Sequence, residues 1–272
     1  MQDFSASPRE MVASFWRNRS LIYALSKREV VGRYRGSYFG ILWSFINPLF
    51  MLTIYTFVFS VIFKAHWNGE SDSRTEYALI LFAGLLVFNL FSECITKAPS
   101  LILSNVNYVK KVVFPLEILP WVTLYSALFH AAISLLVWLI AYVIFFGSPK
   151  ITIFYLPIVV IPLVLLIMGI SWALAALGVY LRDIGQIIGI FVSALMFLSP
   201  IFYRISSLPE GFQSVMLLNP LTIPVEEIRS SLIWGVDLNY THLSIYCIAS
   251  ILICSAGFAW FQKMRKGFAD VI

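Results

Sequence analysis

The chain has 272 residues, 60% of them hydrophobic and 12% charged, with a formal net charge of +5 and a mean hydropathy of +0.86. Soluble chains carry about 25% charged residues, so this composition excludes a water-soluble globular enzyme and points to an all-α polytopic membrane protein. The length suffices for six spans of about 20 residues joined by short connections, and it leaves no stretch for a catalytic domain of about 100 residues.

In chain order, residues 1–35 read as a basic N-terminal segment. Within residues 9–31, Met11, Phe15, Ile22 and Leu25 fall at spacings of four, seven and three, while Arg17, Lys27 and Arg28 lie mainly elsewhere around the helix. That pattern predicts an amphipathic helix in the membrane interface, with a solvated helix as the alternative. Seven Lys or Arg and no apolar run of signal length precede residue 36. No cleavable signal is therefore expected there, and the first span serves as its own insertion signal.

Residues 36–262 form the expected six-span membrane domain. Span one is predicted over 37–63, bent at Asn47-Pro48, and is followed by a polar loop over 64–76. Span two covers 77–97, and the stretch 100–120, with Asn105, Asn107, Lys110 and Lys111, is too polar to cross. Spans three and four are expected over 116–146 and 151–180, joined by the turn Gly147-Ser148-Pro149-Lys150, with bends at Pro157 and Pro162. Arg182-Asp183 closes span four, and span five covers 184–203. Residues 204–239 are broken by Pro209, Pro220 and Pro224 and charged at Glu210, Glu226, Glu227, Arg229 and Asp237. Two short re-entrant helices are expected there, since irregular backbone at membrane depth must be covered by protein or face a water-filled cavity. Span six covers 240–261, ahead of the basic tail 263–272.

Six spans place fourteen Lys and Arg on one side and five on the other, with seven acids on each. The positive-inside rule then puts both termini in the cytoplasm.

The chain contains no G-x-x-x-x-G-K-[ST] loop to cradle phosphates, and no H-E-x-x-H or G-x-S-x-G. An enzyme reading has little support, and no catalytic or metal-binding residue is expected. Cys94, Cys247 and Cys254 lack metal spacing and read as small buried hydrophobes. Phe39, Trp43, Phe50 and Phe57 stand at spacings of four, seven and seven along one face of span one. Such rings suit either the apolar faces of sugars or ordinary lipid and helix packing. Tyr55, Phe59 and Phe63 make a second stripe, read as an interfacial aromatic belt. Asn89, Glu93 and Lys97 recur every four residues in the orientation that favours a Glu–Lys pair, marking either function or residues that snorkel to the interface. His130, mid-span, reads as a hydrogen-bond partner between helices.

Four ordered stretches carry a family resemblance: REVVGRYRGSYFGILWSFINP, YVKKVVFPLEILP, YLRDIGQIIGIFVSALMFLSPIFY and LLNPLTIPVEEIRSSLIWG. Together they resemble the membrane permease subunit of ATP-binding cassette exporters for O-antigen and related surface polysaccharides, over nearly the whole chain. Arg204 departs from the pattern, where a proline is expected after Phe202-Tyr203.

The resemblance implies a homodimer in the bacterial inner membrane, paired with two copies of a separate ATPase subunit. ATP and Mg are used by that partner; this chain binds no cofactor of its own and no nucleic acid. The implied cargo is a polysaccharide on undecaprenyl diphosphate, with membrane lipids around the complex. Arg28, Arg33 and Arg35 would stand at the entry of the lipid diphosphate. Tyr38, Phe39, Trp43, Phe50 and Phe57 would line the glycan channel. Residues 104–113, with Asn105, Asn107, Tyr108, Lys110 and Lys111, would couple to the ATPase, and Arg182-Asp183 would form a second contact. Residues 204–235, with Pro220, Pro224, Glu226, Glu227 and Arg229, would form the periplasmic gate. A permease for drugs or lipids, or a secondary carrier, are the rival readings; a carrier ordinarily shows paired repeat halves, which are not evident here.

Overall fold

The computed structural model describes residues 5–62, 67, 74–110 and 114–272, and every regular element among them is helical. In order these are α1 (Pro8–Arg17), α2 (Arg19–Tyr34), α3 (Trp43–Tyr55), α4 (Arg74–Lys97), α5 (Val106–Lys110), α6 (Leu119–Phe146), α7 (Leu156–Tyr180), α8 (Ile184–Leu198), α9 (Glu210–Met216), α10 (Thr222–Arg229), α11 (Tyr240–Met264) and α12 (Phe268–Val271). Among the described residues, five helical stretches are long and apolar enough to cross a membrane: Gly40–Phe59, Thr75–Ser100, Leu116–Phe146, Ile151–Tyr180 and Tyr240–Val271. The third and fourth coincide at both ends with the spans expected from sequence.

α4 is the axis of the bundle. Every residue from Tyr77 to Phe88 is buried, and α3, α6, α7, α8 and α10 all pack against it. A helix apolar on all sides belongs in such a place. Its indole neighbours tie it in: Trp138 of α6 donates to the Leu79 carbonyl at 2.9 Å. α7 and α11 lie backbone to backbone, because a Cβ on Gly257 would stand only 2.0 Å from the Gly169 carbonyl oxygen. Close approach through glycine is a usual way for helices to pack where lipid supplies no hydrophobic drive.

The N-terminal segment departs from the single helix expected over 9–31. It breaks at Asn18 (φ −104°, ψ 11°), whose amide donates to the Ser14 carbonyl at 2.8 Å. A short polar side chain bonding its local backbone competes with helix propagation, and hydrophobic periodicity does not register that competition. The apolar face itself is as expected: Ile22 is buried against Ile118 and Val122, with Phe15 and Leu25 beside it.

Span one also differs from its expectation over 37–63. A turn with positive φ at Gly36 and Gly40 precedes α3, and beyond Tyr55 the chain widens into a π-helical stretch, Thr56–Ile62. Phe63 lies outside the described residues, as do His66 and most of the expected loop. The Gly40–Phe59 stretch is the least covered of the five, 11% buried over its most apolar window against 83% for Thr75–Ser100.

α8 is shorter than the expected 184–203. Its 15 residues reach about 22 Å, less than the ~30 Å of a hydrocarbon core. It stops where Ser199 turns extended (φ −89°, ψ 151°) ahead of Pro200, which disfavours helix in its predecessor. Two short helices then follow, α9 and α10, as the proline-broken sequence predicts. α11 runs three residues past the expected end of span six, to Met264.

Candidate functional site

Four helices turn polar side chains toward one place. α4, buried from Tyr77 to Phe88, presents Asn89, Ser92 and Glu93; α3 adds Ser44 and Asn47, α6 adds His130 and Ser134, and α2 adds Arg33 and Tyr34. With Met51, Tyr55 and Phe82 they line a cavity of about 360 Å³. Ionisable groups at membrane depth mark function by default.

One wall of the cavity is a charge network. Arg33 pairs with Glu93. His130 Nδ1 lies 3.0 Å from Arg33 Nη1 and 3.3 Å from Glu93 Oε2, and His130 Nε2 lies 3.1 Å from Tyr34 Oη. Lys97 Nζ donates to Glu93 Oε1 at 3.2 Å and to Glu29 Oε1 at 2.9 Å. Two carboxylates thus face two cations. His130 Nδ1 accepts from Arg33 in the tautomer that leaves it bare and donates to Glu93 in the one that protonates it, so each tautomer satisfies one of the two contacts. The expected Glu93–Lys97 pair and the expected helix-to-helix bonding of His130 are both present. Periodicity on one helix carries no signal for the arrival of Arg33 from another.

The rest of the cavity is uncharged, part polar and part apolar. The side chains of Asn47, Asn89 and Ser134 line it and make no hydrogen bond among the described residues. Pro48, inside α3, has no N–H to donate, so the Ser44 carbonyl there loses its ordinary helical donor.

The three arginines expected at a lipid diphosphate diverge. Arg33 enters the charge network, Arg28 donates to Tyr108 Oη at 3.3 Å, and Arg35 is exposed. Of the residues expected to couple to a partner, Asn107, Lys110, Arg182 and Asp183 are exposed. Asn105 instead donates back to the Leu101 carbonyl at 2.9 Å, Tyr108 stacks on Phe114 with ring centroids 4.2 Å apart, and Lys110 Nζ donates to the Ile272 carbonyl at 2.8 Å. Lys111 lies outside the described residues.

Sequence reasoning missed a node just beyond this segment. Glu117 is buried, accepting from Ser14 Oγ of α1 at 2.8 Å and from Arg265 Nη1 at 2.6 Å. Its carbonyl accepts from the Trp172 indole at 2.9 Å, and Arg265 Nη2 donates to the Phe114 carbonyl at 2.9 Å. A lone acid next to Pro115 is the only hint the sequence offers.

Tyr38, Phe39, Trp43, Phe50 and Phe57, which stand before, on and just beyond α3, are all exposed. Tyr38 meets Phe39 edge-on, and Phe39 meets Trp43 likewise, at 5.2 and 5.6 Å. In the second stripe Tyr55 and Phe59 are partly buried against the core, with Phe59 5.5 Å from Tyr77 and 6.1 Å from Phe202.

At the opposite end, Arg229 is fully buried. Its guanidinium donates to the carbonyls of Pro200 and Ile201 and, through Nε, to that of Ile80 at 3.1 Å. It lies over Trp67 at 4.7 Å and pairs with Glu226 at 3.3 Å. Burial lowers its pKa to about 10, Glu226 opposing part of that shift, so it stays charged at neutral pH. Those two carbonyls follow the point where α8 stops short, so Arg229 satisfies backbone that a longer helix would have satisfied itself. Pro224 and Glu227 are also buried, Glu227 accepting from the Asn239 N–H at 3.2 Å, whereas Pro220 and Glu226 are half-buried.

The family model described as ABC-2 type transporter matches residues 20–233. Over 254 residues, 93% of this chain and 95% of the relative, the sequence is 28% identical to the O-antigen export system permease protein RfbA of Klebsiella pneumoniae. It is 26% identical over 271 residues to the protein of the same name from Myxococcus xanthus, covering 96% and 99%. To the polysialic acid transport protein KpsM of Escherichia coli it is 25% identical over 240 residues, covering 85% and 90%.

Proposed function

Because the chain belongs to the ABC-2 type transporter family, we propose that it is the membrane permease subunit of an ATP-driven exporter carrying O-antigen or a similar surface polysaccharide across the bacterial inner membrane. Nearly full-length similarity to permeases of O-antigen export carries this reading. It agrees with a bundle of long apolar helices and a sequence with no phosphate-cradling loop.

In this reading α8 is the fifth of six spans. Its deficit in length is compensated by the turn after Leu198, whose carbonyls Arg229 covers. Both termini are cytoplasmic, as the Lys and Arg distribution favours. The permease is a homodimer bearing two ATPase subunits, and its cargo is anchored on undecaprenyl diphosphate. Residues 104–113 and Arg182-Asp183 receive the ATPase stroke, a role favoured by the exposure of Asn107, Lys110, Arg182 and Asp183. Residues 204–235, including Pro220, Pro224, Glu226, Glu227 and Arg229, form the outer gate, with Arg229 fixing its base. Arg35 and Arg28 meet the diphosphate as it enters, since a doubly anionic head group needs cationic hydrogen-bond donors in hydrocarbon. The exposed rings from Tyr38 to Phe57 hold the polymer by sugar faces, weakly enough to slide.

Deleting the gene is expected to abolish surface polysaccharide while lipid-linked polymer accumulates in the cytoplasm, and affinity purification of the tagged chain to recover an ATPase. Intact surface polysaccharide with no internal accumulation overturns the reading.

A further inference from the structure

We propose that the cavity lined by α2, α3, α4 and α6 is a subsite for one uncharged, hydroxyl-bearing sugar unit of the cargo, read by Asn47, Asn89 and Ser134. This rests on the polysaccharide reading above and adds a location, a ligand class and the residues that discriminate.

The first observation is convergence. Asn47, Asn89 and Ser134 come from three different helices and open into one space, although α4 is otherwise buried from Tyr77 to Phe88. An amide or hydroxyl left without a partner at membrane depth is expensive. Asn47 and Asn89 are exposed on the open side of the cavity and Ser134 is half-buried, so these three groups, unbonded among the described residues, are free to donate to and accept from a ligand.

The second is charge. Arg33 and Lys97 on the adjoining wall are matched by Glu93 and Glu29, so the cavity offers a diphosphate no uncompensated cation. Primary amides and a hydroxyl suit sugar hydroxyls, each of which is donor and acceptor at once. Met51 and Phe82 supply apolar wall for the C–H face of a sugar ring.

The third is size and place. About 360 Å³ lies at the low end of small-molecule pockets, which run from about 300 to 1,000 Å³, enough for one ring and too little for a length of polymer. Arg33, on the cavity wall, lies three residues before the positive-φ turn at Gly36 that joins the interface helix α2 to α3. A sugar next to the diphosphate reaches this cavity while the head group stays with the basic residues outside.

The test uses the permease with its partner ATPase in lipid nanodiscs and two probes: lipid-linked polysaccharide extracted from the producing strain, and bare undecaprenyl diphosphate. The readout is the probe concentration giving half-maximal stimulation of ATP hydrolysis. Asn47→Leu and Asn89→Leu are expected to raise it about tenfold for the glycan-bearing probe, the size of one lost hydrogen-bonded pair, and to move it less than about twofold for the bare lipid. Ser134→Ala, which removes one hydroxyl from a third helix, shifts it in the same direction and keeps the test intact if either Leu variant fails to assemble. No shift with either probe means a cavity that is merely hydrated, and equal shifts with both mean helix packing or head-group binding; each overturns the proposal. Should neither probe stimulate the unmodified complex, the polysaccharide reading itself fails and this inference goes with it.

Discussion

Replacing Arg229 tests how the end of the bundle near α9 and α10 is held. Its side chain is fully buried, donates to three backbone carbonyls and pairs with Glu226. Arg229→Ala strands all of those acceptors, and breaking a buried charge network from one side destabilises by about 3–5 kcal/mol. Gly84 of α4 supplies the second arm, since a Cβ there would stand 2.7 Å from Arg229 Nη2 and 3.3 Å from Cζ. Overpacking of this kind costs about 1–3 kcal/mol in the presence of the arginine. Without the arginine, Gly84→Ala meets open space and instead gains helix propensity of up to about 1 kcal/mol. The four proteins of the cycle, unfolded in detergent and followed by circular dichroism, are therefore expected to show a coupling of about 2 kcal/mol or more, with Gly84→Ala changing sign between backgrounds. Additivity within about 0.5 kcal/mol, the behaviour of independent sites, refutes the clamp.

Further substitutions at three places probe the rest of the molecule. Glu117→Gln removes the carboxylate that pairs with Arg265 and is expected to lower unfolding stability by about 3 kcal/mol, against about 1 kcal/mol for Ser14→Ala, which removes a single bond; equal effects would show that Glu117 is not the node. Trp43→Ala changes an exposed ring, so stability should move by no more than about 0.5 kcal/mol while surface polysaccharide falls several-fold. Parallel losses of expression and export would instead make Trp43 a packing residue. Lys110→Glu, alone and with Lys111→Glu, is expected to leave ATP hydrolysis running while export drops; normal export in both variants removes residues 104–113 from the coupling role.

Span limits were most legible where apolar length and turn chemistry agree: Leu116–Phe146 and Ile151–Tyr180 start and stop as the sequence indicates. They were least legible where a single side chain decides. Asn18 splits one expected helix into two, and Ser199-Pro200 shortens α8, because each is a local hydrogen-bond or steric event inside an otherwise continuous apolar or amphipathic pattern. The site divides in the same way. Glu93 and Lys97 share a helix, so their pairing follows from spacing. Arg33 and Glu93 are 60 residues apart, and Glu117 and Arg265 are 148 apart; only the folded chain brings such residues together. Arg229 sat in the expected gate region, but its use of carbonyls left by α8 depends on α8 ending early.

The same hydrogen-bond argument explains why polar residues occur here at all. In hydrocarbon a side chain that can donate is useful wherever backbone is freed, and the buried Arg229 does that work at Pro200 and Ile201. Asn47, Asn89 and Ser134 have no such backbone partner, and this separates them from the structural set. On α3 the cavity residue Asn47 lies four residues after Trp43 and three before Phe50, so amide and rings share one exposed flank of the least covered of the long stretches. That shared flank is what the proposed glycan path would use, with rings for sugar faces and the amide for sugar hydroxyls.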